Sequence, residues 1–177
     1  VKFVYSKNSD MGSSLSAPPQ NAGSYYVQAR ISETNNTHAV QSAAVGFTIT
    51  KASAPAVADP DKFSMMIGLE KGYEFDLTTL TMPTDAGTKT YSVAEPSDTS
   101  LFKLVPTING NTLRFTSANA AAAGKTATAL VTISSDNYAD VTVTFNFEII
   151  DKAPVVISGV SVASKAYDGA VAAYTGT

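Results

Sequence analysis

The chain has 177 residues, 44% of them apolar and 15% charged, with a net charge of −3 and no cysteine. This balance excludes the charge-rich, core-poor composition of a disordered segment and offers no electrostatic attraction to nucleic acid or an anionic membrane. Without cysteine there is neither a disulfide framework nor a thiolate metal site, and no run of about 18 apolar residues is present to insert in a bilayer as a helix.

The opening VKFVYSK carries no initiator Met and no signal-peptide pattern, and is read as a piece of a longer chain. Val1, Phe3 and Tyr5 recur there at period two, the spacing of a half-buried strand. In SYYVQARIS, Tyr25, Val27, Ala29 and Ile31 face one way, while Ser24, Gln28, Arg30 and Ser32 face the other. Tyr25 therefore belongs to a core, whose burial of one Tyr is worth about 2 kcal/mol. Tyr26 shares the outer face with Gln28 and Arg30.

Weaker copies follow at Val45, Phe47 and Ile49, at Tyr73, Phe75 and Leu77, at Leu113 and Phe115, and at Ala129, Val131 and Ile133. The clearest strand is VTVTFNFEI, where Val141, Val143, Phe145, Phe147 and Ile149 point inward. Turn-formers such as ETNN, EKG, INGN and SSDN separate these runs. Only SANAAAAGK, 117–125, has helical propensity, sufficient for one turn or two. Short alternating strands with polar turns predict an all-β sandwich.

The chain also repeats itself. Ala22-Gly23 matches Ala123-Gly124, Ile31-Ser32 matches Ile133-Ser134 and Phe47 matches Phe147, at offsets of 100 to 102 positions. In both copies Ala-Gly opens a strand, an Asn-containing turn follows, and a second strand closes in FTITKA or FEIIDKA. Pro55 and Pro154 then stop the ladder. The predicted organisation is the C-terminal part of one domain over 1–52, a complete domain over 53–152 and the start of a third over 153–177. About 100 residues is the usual size of an immunoglobulin-like sandwich, so a tandem array is expected.

The plan of 22–52, with its Tyr25-Tyr26 strand and its FTITKA close, resembles the Ig-like repeats of large Gram-positive bacterial surface proteins. SKAYDGAVAAYTGT, 164–177, is similar to the opening of their YDG-type repeat, with Lys165, Tyr167, Asp168 and Gly169 in place and Ala170 where Thr is usual. The resemblance implies an extracellular location, wall-attached or secreted, and repeats that serve as stalk or adhesion modules. Neighbouring repeats are the implied partners, with a host glycan or protein as possible ligand.

Chemistry is sparsely provided. His38 in NTHAV is the single histidine, with no second His or Cys for zinc and no partner for a Ser-based triad. The eleven glycines are scattered, so no phosphate loop forms, and no cofactor is expected. Asp59 with Asp61, and Asp136 with Asp140, supply only part of the six to eight oxygens that calcium takes, and read as turn or linker residues. Asn35-Asn36-Thr37 reads as turn chemistry. Lys62, Lys71 and Lys125 with Asn146 and Glu148 have the residue types of an isopeptide bond, but Asn146 and Glu148 point outward, whereas that reaction needs a buried, pKa-shifted Lys.

Two functional classes remain. The first is a non-catalytic stalk, spacer or adhesion module. The second is a carbohydrate-binding module in which Tyr26, Gln28 and Arg30 meet a glycan by ring stacking and hydrogen bonds, against the plainer reading that a neighbouring strand or repeat covers them. Solvent clustering of Tyr26, Tyr73, Tyr91 and Tyr138 separates the two. Unpaired strand edges at the incomplete ends also predict strand-swapped self-association through residues 153–177.

Overall fold

The computed structural model describes residues 1–118 and 120–152, so the predicted start of a third repeat lies outside the described residues. The strands in chain order are β1 (Lys2–Ser6), β2 (Gly23–Ile31), β3 (Val40–Gln41), β4 (Val45–Ile49), β5 (Phe63–Met66), β6 (Gly72–Asp76), β7 (Lys89–Val93), β8 (Phe102–Asn109), β9 (Thr112–Ser117), β10 (Thr126–Ser135) and β11 (Val141–Ile150). Among the described residues the helical elements are two single 3-10 turns, Leu77–Thr79 and Thr99–Leu101. Each is opened by an aspartate, Asp76 or Asp98, whose carboxylate accepts the amide two residues on. The protein is all-β.

Residues 63–150 build two facing layers. One has the order β5-β11-β10-β7 and the other β6-β9-β8. Named in chain order as A to G, these are A-G-F-C and B-E-D. That is the sandwich order of an immunoglobulin constant-type domain, except that the first strand has moved across to lie parallel to the last. Between the layers the aromatic rings interlock. Phe115 meets Phe147 edge-on at 4.9 Å, Phe75 meets Phe145 at 5.2 Å, and Phe63 lies 5.2 Å from Phe115. Phe115, Phe145, Phe147, Val131 and Val143 are fully buried, as alternation requires, and Phe75 is half-buried on their margin. Met65 and Leu101 are equally buried but had no periodic strand to announce them. Pro106 interrupts β8, which tolerates it because β8 is an edge strand with register shifts between Phe102 and Thr107.

The Ala-rich stretch 117–125, expected to hold a short helix, forms turns among its described residues. The strand ends override its propensity. Gly124, at φ +81°, donates its amide to Ile149 O at 2.7 Å, and Ile149 donates back to Lys125 O at 2.8 Å. Both bonds lock the approach to β10 in a reversed conformation that a helix cannot supply.

Residues 2–49 form a separate sheet in which β2 pairs with β1 on one side and with β4 and the short β3 on the other. The sequence repeat is a structural one. Tyr25 pairs with Phe47 as Ala127 pairs with Phe147, and Val27 pairs with Val45 as Ala129 pairs with Phe145. On the far side β1 flanks β2 as β7 flanks β10. The first sheet thus repeats the C, F and G strands of the sandwich.

Because Phe145 meets Phe75 across the layers and stacks on Phe63 of the neighbouring strand, Phe145→Ala should lose about 3–5 kcal/mol of stability. Urea unfolding measures this directly, and a loss under about 1 kcal/mol would mean that the ring does not face the core.

Candidate functional site

Tyr26, Gln28 and Arg30 share one face of β2, but not in open solvent. Gln28 is buried. Its Nε2 donates to Ser42 O at 2.8 Å, and its Oε1 accepts from Arg30 Nε at 2.7 Å. Ser42 follows β3 and is itself bound to β2, donating its amide to Ala29 O and accepting from the Ala29 amide at its Oγ. Tyr26 is half-buried over Gly46, where a Cβ would come within 3.3 Å of the ring. The outward placement of Gln28 is therefore corrected. The chain after β3 folds back over β2, a local cover that strand alternation cannot foresee, and it leaves Arg30 engaged with Gln28.

The remaining tyrosines lie on other elements. Tyr73 on β6 stacks on Phe115 at 5.0 Å, and burial pushes its phenol pKa up. Tyr91 on β7 packs on the core margin, with burial again raising its pKa. Tyr138, between β10 and β11, donates its hydroxyl to Asp85 Oδ1 at 2.9 Å, and that bond raises its pKa. Three of the four thus pack against the sandwich core or its margin, and they share no aromatic platform.

His38 stands in the turn before β3 with its side chain 98% exposed and Glu33 3.8 Å away. Asp59 accepts the Thr144 amide at 2.7 Å, and Asp136 accepts the Thr88 amide at 2.7 Å. Among the described residues no three His, Asp or Glu side chains gather as a ligand set. Lys62 pairs with Glu148, Lys125 lies 3.7 Å from Asp98, and Lys71 sits over the Tyr73 ring. All three lysines are exposed, whereas isopeptide chemistry needs a buried lysine.

The most concentrated polar constellation is the turn Asp136-Asn137-Tyr138, which holds three pieces of chain together. Asn137 uses every polar atom it has. Its Oδ1 accepts the Ala22 amide at 2.9 Å, and its Nδ2 donates to Asp85 O at 2.6 Å and Asn21 Oδ1 at 3.1 Å. Its backbone accepts from the Ala52 amide at 2.8 Å and donates to Ala86 O at 3.2 Å. Ala52 also accepts from the Ala139 amide, making a parallel bridge to Tyr138, and Lys51 Nζ donates to Ser135 O at 2.7 Å. So the turn grips the start of β2, the exit of β4 and the 85–88 loop of the sandwich at once. Gly87 completes the fit, since at φ +77° a Cβ would lie 2.7 Å from Asp136 Oδ2. In the sequence, SSDN reads only as a turn. The one available signal was that Asn follows Asp directly in a hairpin turn next to a domain boundary.

Comparison with protein-family profiles finds no match, and no curated protein matches the sequence. Among solved structures the chain is similar to domains 4 and 5 of the S-layer protein SbsC, at 13% identity and a TM-score of 0.29. The alignment covers 73% of this chain and 66% of that one, just under two thirds of the neighbour's length. That neighbour is a surface-layer protein, and a superposition this loose bears on neither domain arrangement nor function.

Asn137→Asp removes two donors and sets a third carboxylate beside Asp85 and Asp136, so the two units should uncouple while each stays folded. Amide relaxation would report it. Residues 23–49 and 126–150 should share one rotational correlation time in the wild type and differ in the variant, and identical times in both would refute the clamp.

Hydrogen bonds from Thr78, Ser100 and Thr88 hold the carboxyls of Asp76, Asp98 and Asp136 below their ordinary 3.8. A depressed folded pKa stabilises fully above the unfolded value, and that stability is lost as pH falls through the folded value. Thermal midpoints should therefore hold steady from neutrality to about pH 5 and drop below about pH 4. Asp136→Asn should flatten the drop, and a drop of undiminished size in that variant would exclude Asp136 as a contributor.

Proposed function

We propose that this chain is a non-catalytic spacer module of an extracellular, surface-attached protein, in which β units are joined end to end and hold a fixed direction. One observation carries the reading. The chain enters the sandwich at the Asn137 clamp, where Ala52 bridges Tyr138, and β11 then runs from that pole to Ile150 at the other. Ten residues at about 3.3 Å each separate entry from exit by about 33 Å. The first sheet extends the other way, since Gly23 and Ile49 sit by the clamp and Ile31 lies at the far end of β2. A chain that arrives at one pole and leaves at the other transmits distance, which a compact fold with adjacent termini does not.

The other features agree. The single imidazole projects into solvent beside Glu33, the tyrosines are used in packing, and Gln28 is occupied within its own sheet. The resemblance of 22–52 and 164–177 to Gram-positive surface repeats supports the location.

Small-angle scattering of the monomeric protein tests the geometry. A compact 177-residue domain has a radius of gyration of about 16 Å, whereas two β units end to end give about 20 Å or more. The elongated value is expected. A radius near the compact value would overturn the spacer reading.

A further inference from the structure

The tip of the β8–β9 hairpin brings together two groups that react with each other when nothing keeps them apart. The chain has nine asparagines, and Asn109 is the one followed by glycine. Gly110 takes the first position of the two-residue loop at φ +61°, the left-handed corner that a type II′ hairpin gives to glycine. Asn109, Gly110 and Asn111 are all exposed, and a Cβ at Gly110 would meet nothing within 4 Å. The Gly110 amide makes no backbone hydrogen bond to a described residue. Asparagines elsewhere are placed differently. Asn137 has its carboxamide fully engaged in the clamp, and Asn146 is half-buried in β11 ahead of the bulky Phe147.

An asparagine carboxamide and the next backbone nitrogen stand at the two ends of a five-membered ring. A following side chain crowds the closure of that ring, and a fixed backbone prevents it. Here the following residue has no side chain and a wide choice of backbone angles. The remaining restraint is the closing pair of Asn109 with Thr112. That pair ends the ladder of an edge strand, which is already irregular between Phe102 and Thr107. Release of one terminal pair is a local opening at the low end of the stability range.

We propose that Asn109 is a site of spontaneous deamidation, which converts the β8–β9 tip to an aspartate or isoaspartate corner as the protein ages. The Gly110 nitrogen gives up its proton to base and attacks Asn109 Cγ. The Cγ–Nδ2 bond breaks, and the nitrogen leaves as ammonia with a proton from solvent. Water then opens the cyclic imide. Attack at Cγ restores the main chain and leaves aspartate, whereas attack at the main-chain carbonyl leaves isoaspartate, with one extra carbon in the backbone. One water is consumed, one ammonia is released and the chain gains one negative charge. The extra carbon displaces the pairing with Thr112. The next link is Asn111, whose carbonyl accepts the amide of the fully buried Leu77 at 2.8 Å, so the change is passed from an exposed corner to the seam between the layers. The inference is independent of the spacer reading, since it is judged by mass and charge and not by shape.

Incubation of the folded chain at mildly alkaline pH, followed by peptide mapping in a mass spectrometer, tests it. Asn109 should take on the mass of the acid and split into aspartate and isoaspartate products, while Asn137 and Asn146 keep their amides. Ion exchange should resolve a more acidic form of the intact chain, and the Asn109→Gln variant should not produce it. Because only one pair has to open, the folded chain should react at Asn109 within about tenfold of its rate in urea. A folded rate further below the urea rate would mean that the hairpin holds the carboxamide away from the Gly110 nitrogen, and overturns the proposal. An acidic form that appears as fast in Asn109→Gln overturns it as well.

Discussion

A sheet with one apolar face must have that face covered, and this requirement organises the whole chain. In the sandwich it is met by ring against ring, with Phe75 and Phe115 from one layer meeting Phe63, Phe145 and Phe147 from the other. Aromatic contacts of this kind add about 0.5–1.5 kcal/mol each beyond the area they bury, and their edge-on geometry fixes the spacing of the layers. Everything else in residues 63–150 follows from holding those two layers in register. The 3-10 turns drive Leu77 and Leu101 into the seam, and the Ala-rich approach to β10 stays irregular so that the strand begins at the right place. The first sheet repeats the C, F and G pairings of that sandwich, and among the described residues its Phe3 and Val45 are exposed.

Repetition explains why the joint between the units sits where it does. A hairpin turn recurs in both copies, as ETNN and as SSDN, but only the second lies against another unit. There Asp136 holds Thr88, Tyr138 holds Asp85, and Asn137 reaches back to Asn21 and Ala22. The first turn has no such neighbour among the described residues, and its Thr34 and Thr37 bond to each other instead. One turn position thus serves as a closed local structure in one copy and as a coupling in the other, the difference being the side chains and what lies within reach of them.

Strands and their inward faces were legible in the residues because alternation is a local signal. Val141 through Ile149 name their buried face without help, Tyr25 in β2 is buried as alternation requires, and the all-β class follows. Burial from non-local folding was not legible. Gln28 alternates as an outward residue, yet the chain after β3 folds over it, and nothing in SYYVQARIS encodes the position of Ser42. Asn137 shows the same limit. Its type fits a turn, but its five hydrogen bonds go to residues as far as 116 positions away. Met65 was hidden for another reason, since β5 is four residues long and pairs in parallel at an edge, too short to display a period.

The parallel pairing of β5 with β11 has a mechanical meaning. Between the clamp and Phe63 the chain runs beside β11 without joining its ladder, because Pro55 and Pro60 lack amides, and Asp59 takes the Thr144 amide in their place. Pairing proper then begins at Phe63 with Phe147 and continues through Met66 with Ile150, where Ile67 donates to Ile150 O. A pull on the two ends of this unit acts on the start of the first strand at one pole and on the end of the last strand at the other. Parallel neighbours loaded that way slide past each other, so their cross-links are strained together instead of one after another. The Ala52–Asn137 and Ala52–Ala139 bonds stand at the point where load enters, and must break before the ladder bears it alone. Moving the first strand from the B-E-D layer to the side of the last strand therefore does more than cover an edge. It converts the ends of the domain into a shear contact aligned with the direction in which the chain passes through.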